Sequence, residues 1–257
     1  MRDRMRPDFI IHTPAEVARI KTAAAKAAQV RERICSLVHT GMSTWDLDEL
    51  AGDVIRSTGG TPTFLGYRGF PGNICISIND EVVHGIRSKE RFILNGDVVS
   101  IDVGVTFDGC VGDTAKTIYV GGEMPPDIER LLNFTESALE CGLAAARPGG
   151  YIQDISRGVE MEAKRGRLGI VEEFVGHGCG TRMHEPPDVP NFVQHRRGPM
   201  LQPGMVLCVE PMLNLGSKRV YVESDGWTVR TRDGEPSAHF EHMILITETG
   251  TEVLTRV

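Results

Sequence analysis

The chain has 257 residues, enough for one or two domains at about 150 residues each. Its 28 basic residues face 35 acidic ones, a net charge of −7, which argues against a nucleic-acid binder, since such proteins carry a basic patch or stripe. With 40 % hydrophobic and 25 % charged residues the composition is that of an ordinary globular protein and excludes disordered and fibrous architectures.

No apolar run approaches the roughly 18 residues a membrane-spanning helix needs, so no membrane partner is expected. Met1 to Phe9 hold no apolar core of a secretory leader. Cys35, Cys75, Cys110, Cys141, Cys179 and Cys208 stand singly, in spacings that fit neither a CxxC clamp nor a small disulfide scaffold. They read as reduced thiols of a cytoplasmic protein.

Thr13-Pro14-Ala15-Glu16 predicts a helix start: threonine caps, proline suits the first turn, and Glu16 closes a capping box. An alanine-rich helix then runs to about Val38. Ser43 and Asp46 repeat the spacing and open a second helix that stops at Gly59-Gly60. Strands are predicted around Asn73 to Asn79 and Asp97 to Val105, with Asp108-Gly109 turning the chain into Thr114 to Val120. After Pro125-Pro126 come a helix to about Ala146 and another from Ile152 to about Gly166. Strands follow at Ile170 to Phe174, Met205 to Glu210, Trp227 to Arg232 and His239 to Thr247.

The order of elements repeats, and one register carries it. Gly41, Asp46 and Leu47 recur 108 residues on as Gly149, Asp154 and Ile155. Gly96, Val98, Val99, Ile101 and Asp102 recur at the same offset as Gly204, Val206, Leu207, Val209 and Glu210. A single catalytic domain over 1–257 is expected, built from halves at about 13–120 and 125–257.

That duplication brings acidic residues together. In Ile101 to Gly109 the apolar side chains alternate, so Asp102 faces away from the valines. A two-residue turn at Asp108-Gly109 places Asp113 opposite Gly104, one diagonal step from Asp102, roughly 7–8 Å along the backbone. Two such carboxylates repel unless solvent, a proton or a cation lies between them, and a solvated outer face is the plain alternative. Glu210 and Glu241 tilt the balance, because each adjoins an apolar run and glutamate is seldom buried unless paired or metal-bound. Gly176-His177-Gly178-Cys179-Gly180 offers an imidazole on bare backbone, though a histidine there is also an ordinary loop residue. His184 and His84 are further imidazoles: ligands, donors to an oxyanion, or surface groups. An oxygen-rich set with one imidazole suits a carboxylate-bridged pair of divalent ions better than a structural zinc site. Hydrolysis of an amide, ester or phosphate ester follows.

Asn79 to His84, Asp102, Asp113, Gly176 to Gly180, His184, Val209-Glu210-Pro211 and Glu241 together resemble the type I methionine aminopeptidases, over roughly Thr13 to Val253. The resemblance implies an α+β "pita-bread" fold, with two pseudo-symmetric halves and helices outside a curved antiparallel sheet. It implies two divalent ions per chain (Co, Mn, Fe, Zn or Ni) on Asp102, Asp113, His177, Glu210 and Glu241. By the same resemblance Glu210 transfers the proton, His184 polarises the scissile carbonyl and His84 contacts the leaving side. The methionine pocket would be formed by Tyr67, Phe70, Cys75 and Trp227. The implied reaction is removal of the initiator methionine from nascent polypeptides by a metal-bridging hydroxide, with a small uncharged second residue preferred. Met183 departs from the aromatic expected beside His184, which bears on pocket shape. The absence of the type II helical insertion and the helix beginning by Thr13 resemble the short, bacterial-type form. A cytoplasmic monomer is expected. The substrate is compatible with transient ribosome proximity, though no docking feature is visible. Two rivals share the fold: a prolidase or Xaa-Pro aminopeptidase, which usually has a further N-terminal domain, and a binding module, which has normally lost ligands that are all present here.

Overall fold

Thr13 caps the first helix, α1 (Pro14–Leu37): its hydroxyl accepts the Glu16 amide at 3.3 Å while the Glu16 carboxylate accepts the Thr13 amide at 2.8 Å. Ser43 caps α2 (Thr44–Ser57), its hydroxyl accepting the Asp46 amide at 3.1 Å. This computed structural model describes residues 8–257. Residues 1–7, most of the stretch read as lacking a leader core, lie outside the described residues.

Five strands complete the first half: β1 (Thr61–Pro62), β2 (Cys75–Ile78), β3 (Glu81–Val83), β4 (Val98–Phe107) and β5 (Cys110–Tyr119). Asp108 and Gly109 take φ of 49° and 70°, the left-handed pair of a tight hairpin turn, so Phe107 pairs with Cys110 and Gly104 with Asp113. The second hairpin strand therefore starts at Cys110, earlier than the expected Thr114. The alanines of α1 have a steric reason. A Cβ on Gly112 of β5 would lie 2.3 Å from the Ala23 carbonyl oxygen, so helix and strand touch backbone to backbone.

The second half holds α3 (Pro126–Ala145), α4 (Ile152–Arg165) and β6 (Gly169–Ile170), β7 (Gly176–Gly178), β8 (Glu185–Val189), β9 (Val206–Val209), β10 (Met212–Asn214), β11 (Val220–Val222), β12 (Val229–Thr231), β13 (Ser237–His239), β14 (His242–Ile246) and β15 (Thr251–Val253). Pairing throughout is antiparallel: β1-β4-β2 with β5 on β4, β13-β10-β6, β11-β12-β3, and β15-β14-β9-β7-β8. The architecture is α+β.

Two expected strands differ. Ile170 to Phe174 pairs only through Ile170, and the chain then leaves to bring Phe174 and Val175 to the wall of a cavity. His239 to Thr247 is broken at Phe240-Glu241. There the Glu241 amide donates to the Ala115 carbonyl of β5 at 3.0 Å, and the Thr114 hydroxyl donates to the Glu241 carbonyl at 2.8 Å. The break is the seam that joins the halves.

Backbone geometry repeats at the 108-residue offset. Gly41 and Gly149 take φ of 89° and 81°, and Gly96 and Gly204 take 97° and 90°. The isolated bridges Ser43–Phe92 and Tyr151–Met200 stand at the same spacing. Each half has its own core beneath its helices. Ala27, Ile34, Leu47 and Ile55 pack on Ile76, Val99 and Ile101 in one, and Leu131, Leu139, Ile155 and Val159 on Leu207, Val209 and Ile244 in the other. A third cluster draws on both halves and includes Phe64, Phe70, Cys75, Cys179, Cys208 and Met243; its Phe64, Phe70 and Cys75 line the cavity.

Candidate metal centre and substrate pocket

Hairpin register places the first two acids. Asp102 pairs with Ala115 and Asp113 with Gly104, so both carboxylates leave the same face of the β4–β5 ribbon. Glu210 follows β9, where Pro211 has no amide to continue the ladder. Glu241 sits in the break between β13 and β14, delivered opposite Asp113 by its bond to Ala115. Asp102 lines the cavity wall with them, and Asp113 and Glu241 are each 2 % exposed.

His177 is the middle residue of β7, held between β9 and β8. Its glycine neighbours are needed by the flanking strands: a Cβ on Gly176 would stand 2.3 Å from the Cys208 carbonyl oxygen, and one on Gly178 would stand 2.6 Å from the Pro186 carbonyl oxygen. The His177 Nδ1 lies 2.9 Å from the Gly178 carbonyl oxygen, which only accepts, so the ring proton sits on Nδ1. The bare Nε2 lone pair then faces Asp113 at 3.6 Å and Glu210 at 3.5 Å. Burial holds the imidazole neutral, its pKa lowered to about 3.

A lone pair aimed at carboxylates is repulsive unless a cation lies between them. Burial first and the neighbouring acids second push the carboxyls of Asp113, Glu210 and Glu241 well above their ordinary range. Burial raises Asp102 to about 6. One oxygen of each of the four is buried without a hydrogen-bond partner. The residues fit a metal centre: ligand atoms of Asp113, His177, Glu241 and Cys208 all lie within 4.8 Å of one another.

The cavity above them measures about 270 Å³ and is lined by Asp102, Asp113, His177, Glu210, Glu241, His84, His184, Tyr67, Phe70, Cys75 and Trp227, every one of the candidate site residues. Phe70 meets Trp227 edge to face at 5.2 Å between ring centres, and Trp227 meets His84 at 6.2 Å. Burial, then the nearby His239 and His184, lowers His84 to about 4, so its ring is neutral near pH 7. His184 stands at the mouth with Nδ1 2.8 Å from the Tyr67 hydroxyl and its ring 4.3 Å from that of His177. Desolvation and then the Arg68 charge lower its pKa. Met183 is 8 % exposed and forms part of the wall.

The profile of metallopeptidase family M24 matches residues 18–248. The chain belongs to metallopeptidase family M24. Within the family it belongs with the methionine aminopeptidases. It is 43 % identical to methionine aminopeptidase 1 of Bacillus subtilis over 97 % of this chain and all of that one. The crystal structure of methionine aminopeptidase from Rickettsia prowazekii superposes with a TM-score of 0.93 at 36 % identity, covering 96 % of this chain and 100 % of that chain. An Xaa-Pro dipeptidase from Bacillus anthracis shares the fold, with a TM-score of 0.77 at 24 % identity, but this chain spans only 62 % of its length.

The acid cluster of the M24 site also has neighbours that sequence reasoning missed. Cys208 points its sulfur at Asp113 Oδ2, 3.8 Å away, and His239 Nε2 lies 3.5 Å from Glu210 Oε2. Both signals were available: each residue lies two positions before a glutamate of the site, the spacing that shares a strand face. Phe64, Val83, Phe174 and Met212 also line the cavity, but nothing in their local sequence distinguishes them from core.

Proposed function

We propose that this chain is a dinuclear metallo-exopeptidase that removes the initiator methionine from nascent polypeptides, with a small uncharged second residue preferred. The observation that carries the reading is the His177 lone pair set among partnerless carboxylate oxygens at the bottom of an aromatic- and sulfur-lined pocket. In this reading Asp102, Asp113, His177, Glu210 and Glu241 would hold two divalent ions. Co, Mn, Fe, Zn and Ni all suit such a donor set. When bound, the ions supply Lewis acidity, lowering the pKa of water toward neutral and polarising the peptide carbonyl.

The chain's own groups do the rest. Tyr67, Phe70, Cys75 and Trp227 take the methionine side chain, whose sulfur gains roughly 0.3–1.5 kcal/mol beside aromatic edges. With the Tyr67 hydroxyl donating to His184 Nδ1, the His184 proton sits on Nε2 and donates to the carbonyl oxygen as charge develops there. His84, neutral in its buried setting, is a hydrogen-bonding partner on the leaving side. Glu210, as the carboxylate, takes the proton of the attacking water and passes it to the leaving amine. We read the molecule as one catalytic domain acting as a cytoplasmic monomer, and no helix among the described residues is long and apolar enough to cross a membrane.

The test is release of free methionine from Met-Ala-Ser by metal-stripped protein, with and without cobalt or manganese, beside Met-Pro and Ala-Pro-Ala. Metal-dependent cleavage of Met-Ala-Ser with Ala-Pro-Ala untouched is expected. Cleavage only before proline would move the chain to the prolidase branch. No turnover with any ion, despite bound metal, would sink the function.

A further inference from the structure

Ahead of α1 the chain makes one buried polar contact that the chemistry above does not use. We propose that His12 is a positioning residue for the reaction: it locks Glu185, and through Glu185 the turn that presents His184 to the cavity. The proposal rests on the reading of His184 as the group that polarises the peptide carbonyl.

His12 and Glu185 come from segments far apart in sequence, and both side chains are 1 % exposed, with Nε2 and Oε2 3.0 Å apart. The other Glu185 oxygen accepts the Thr181 amide at 3.1 Å, the Thr181 hydroxyl at 2.7 Å and the Arg182 amide at 3.0 Å. Glu185 thus closes the turn whose remaining members are Met183 and His184. Burial pushes its carboxyl up, but the facing His12 ring and the hydrogen bonds from Thr181 and Arg182 outweigh burial and hold it below the ordinary value, so it is ionised. The turn leaves Oε2 without a bond of its own, and the buried His12 Nε2, likewise without any other partner, is the group that faces it at 3.0 Å.

His12 is itself fixed. Its amide donates to the Gly204 carbonyl at 2.9 Å, tying the segment to the start of β9. Its ring fills the space over Gly180, where a Cβ would lie 2.6 Å from the imidazole. The ring therefore braces the chain at Gly180, just past the strand that carries His177, on one side and the turn that carries His184 on the other. A loosened Glu185 frees the turn on that side and leaves His184 held mainly by Tyr67. A misplacement of about 1 Å in a group that acts only in the transition state costs on the order of a hundredfold in rate.

Three variants of the full chain separate shape from hydrogen bonding. His12→Gln keeps a donor at the position of Nε2. His12→Phe keeps the ring and removes the donor. His12→Asn keeps polarity but falls short of Glu185. Two readouts apply: hydrogen exchange at the Thr181 and Arg182 amides, and steady-state cleavage of Met-Ala-Ser by cobalt-loaded protein whose metal content is measured. Expected for His12→Phe and His12→Asn are faster exchange at those amides and a kcat lower by roughly 10–100-fold, with KM within about threefold and metal content unchanged. His12→Gln restores both. Should His12→Phe fail to fold, His12→Asn carries the same expectation. Wild-type exchange and kcat in a folded His12→Phe or His12→Asn would overturn the proposal, as would a loss shared equally by His12→Gln. Exchange is read without substrate, so a wild-type protein that fails to cleave Met-Ala-Ser removes the proposed function while exchange still decides whether His12 holds the turn.

Discussion

His177 has its tautomer chosen by the backbone: the Gly178 carbonyl takes the Nδ1 proton and leaves Nε2 for the carboxylates. Removing that nitrogen should cost ion affinity, whereas removing His184 should not, because His184 bonds Tyr67 rather than the acid cluster. His184→Ala is expected to lower kcat by 10²–10³, the equivalent of about 2.7–4 kcal/mol, with metal content intact. Glu241→Gln, by contrast, should lose bound metal on dialysis, read by elemental analysis. A His184→Ala protein that keeps kcat but has lost its ions would invert both assignments. At this scale the acids were legible because hairpin arithmetic fixes Asp113 opposite Gly104 from the turn alone. Cys208 and His239 were passed over because each lies in an apolar or mixed run that also reads as core.

Helix boundaries were legible to within a residue or two, since caps are local chemistry: Thr13 with Glu16, Ser43 with Asp46, and Tyr151 with Asp154 whose carboxylate accepts the Tyr151 amide at 2.8 Å. Thr13→Ala should therefore cost about 0.5–2 kcal/mol in denaturant unfolding with the activity per folded molecule preserved. Short strands were less legible. Neither β7 nor the break at Glu241 follows from alternation: one is a glycine-histidine-glycine strand defined by close neighbours, and the other is set by Ala115 on the opposite half. Gly176→Ala tests the first point. Its methyl would meet the Cys208 carbonyl, displacing β7 from β9, so both stability and metal content should fall together in a thermal melt and an elemental assay.

Across the whole molecule, protonation and metal loading compete for the same oxygens. Without ions, the carboxyls of Asp113, Glu210 and Glu241 have pKa values raised above their unfolded ones, so the folded state binds more protons and loses stability as pH rises through those values. His84, His177, His184, His239 and His242 are shifted the other way, and their stabilisation is lost as pH falls below the ordinary histidine value of about 6.5. Above that value the acids act, joined at higher pH by the thiols of Cys75 and Cys208, which burial also pushes well above their ordinary value. The melting temperature of metal-stripped protein should accordingly fall as pH rises above about 6.5, and added manganese should stabilise more at high pH than near pH 6. A flat profile for stripped protein, or equal stabilisation by manganese at both ends, would contradict the assignment.

The seam at Glu241 also sets a schedule. Asp113 meets its partner because the Ala115 carbonyl and the Thr114 hydroxyl bond a residue 127 positions away from Thr114. While the chain is being synthesised, the first half can pack its own helices on β2 and β4, but it has no second wall for the cavity. A growing chain therefore carries Asp102 and Asp113 without Glu241 until residues 239–246 are made, when β14 pairs with β9 and Glu241 bonds β5. Until Glu241 is in place the donor set is incomplete.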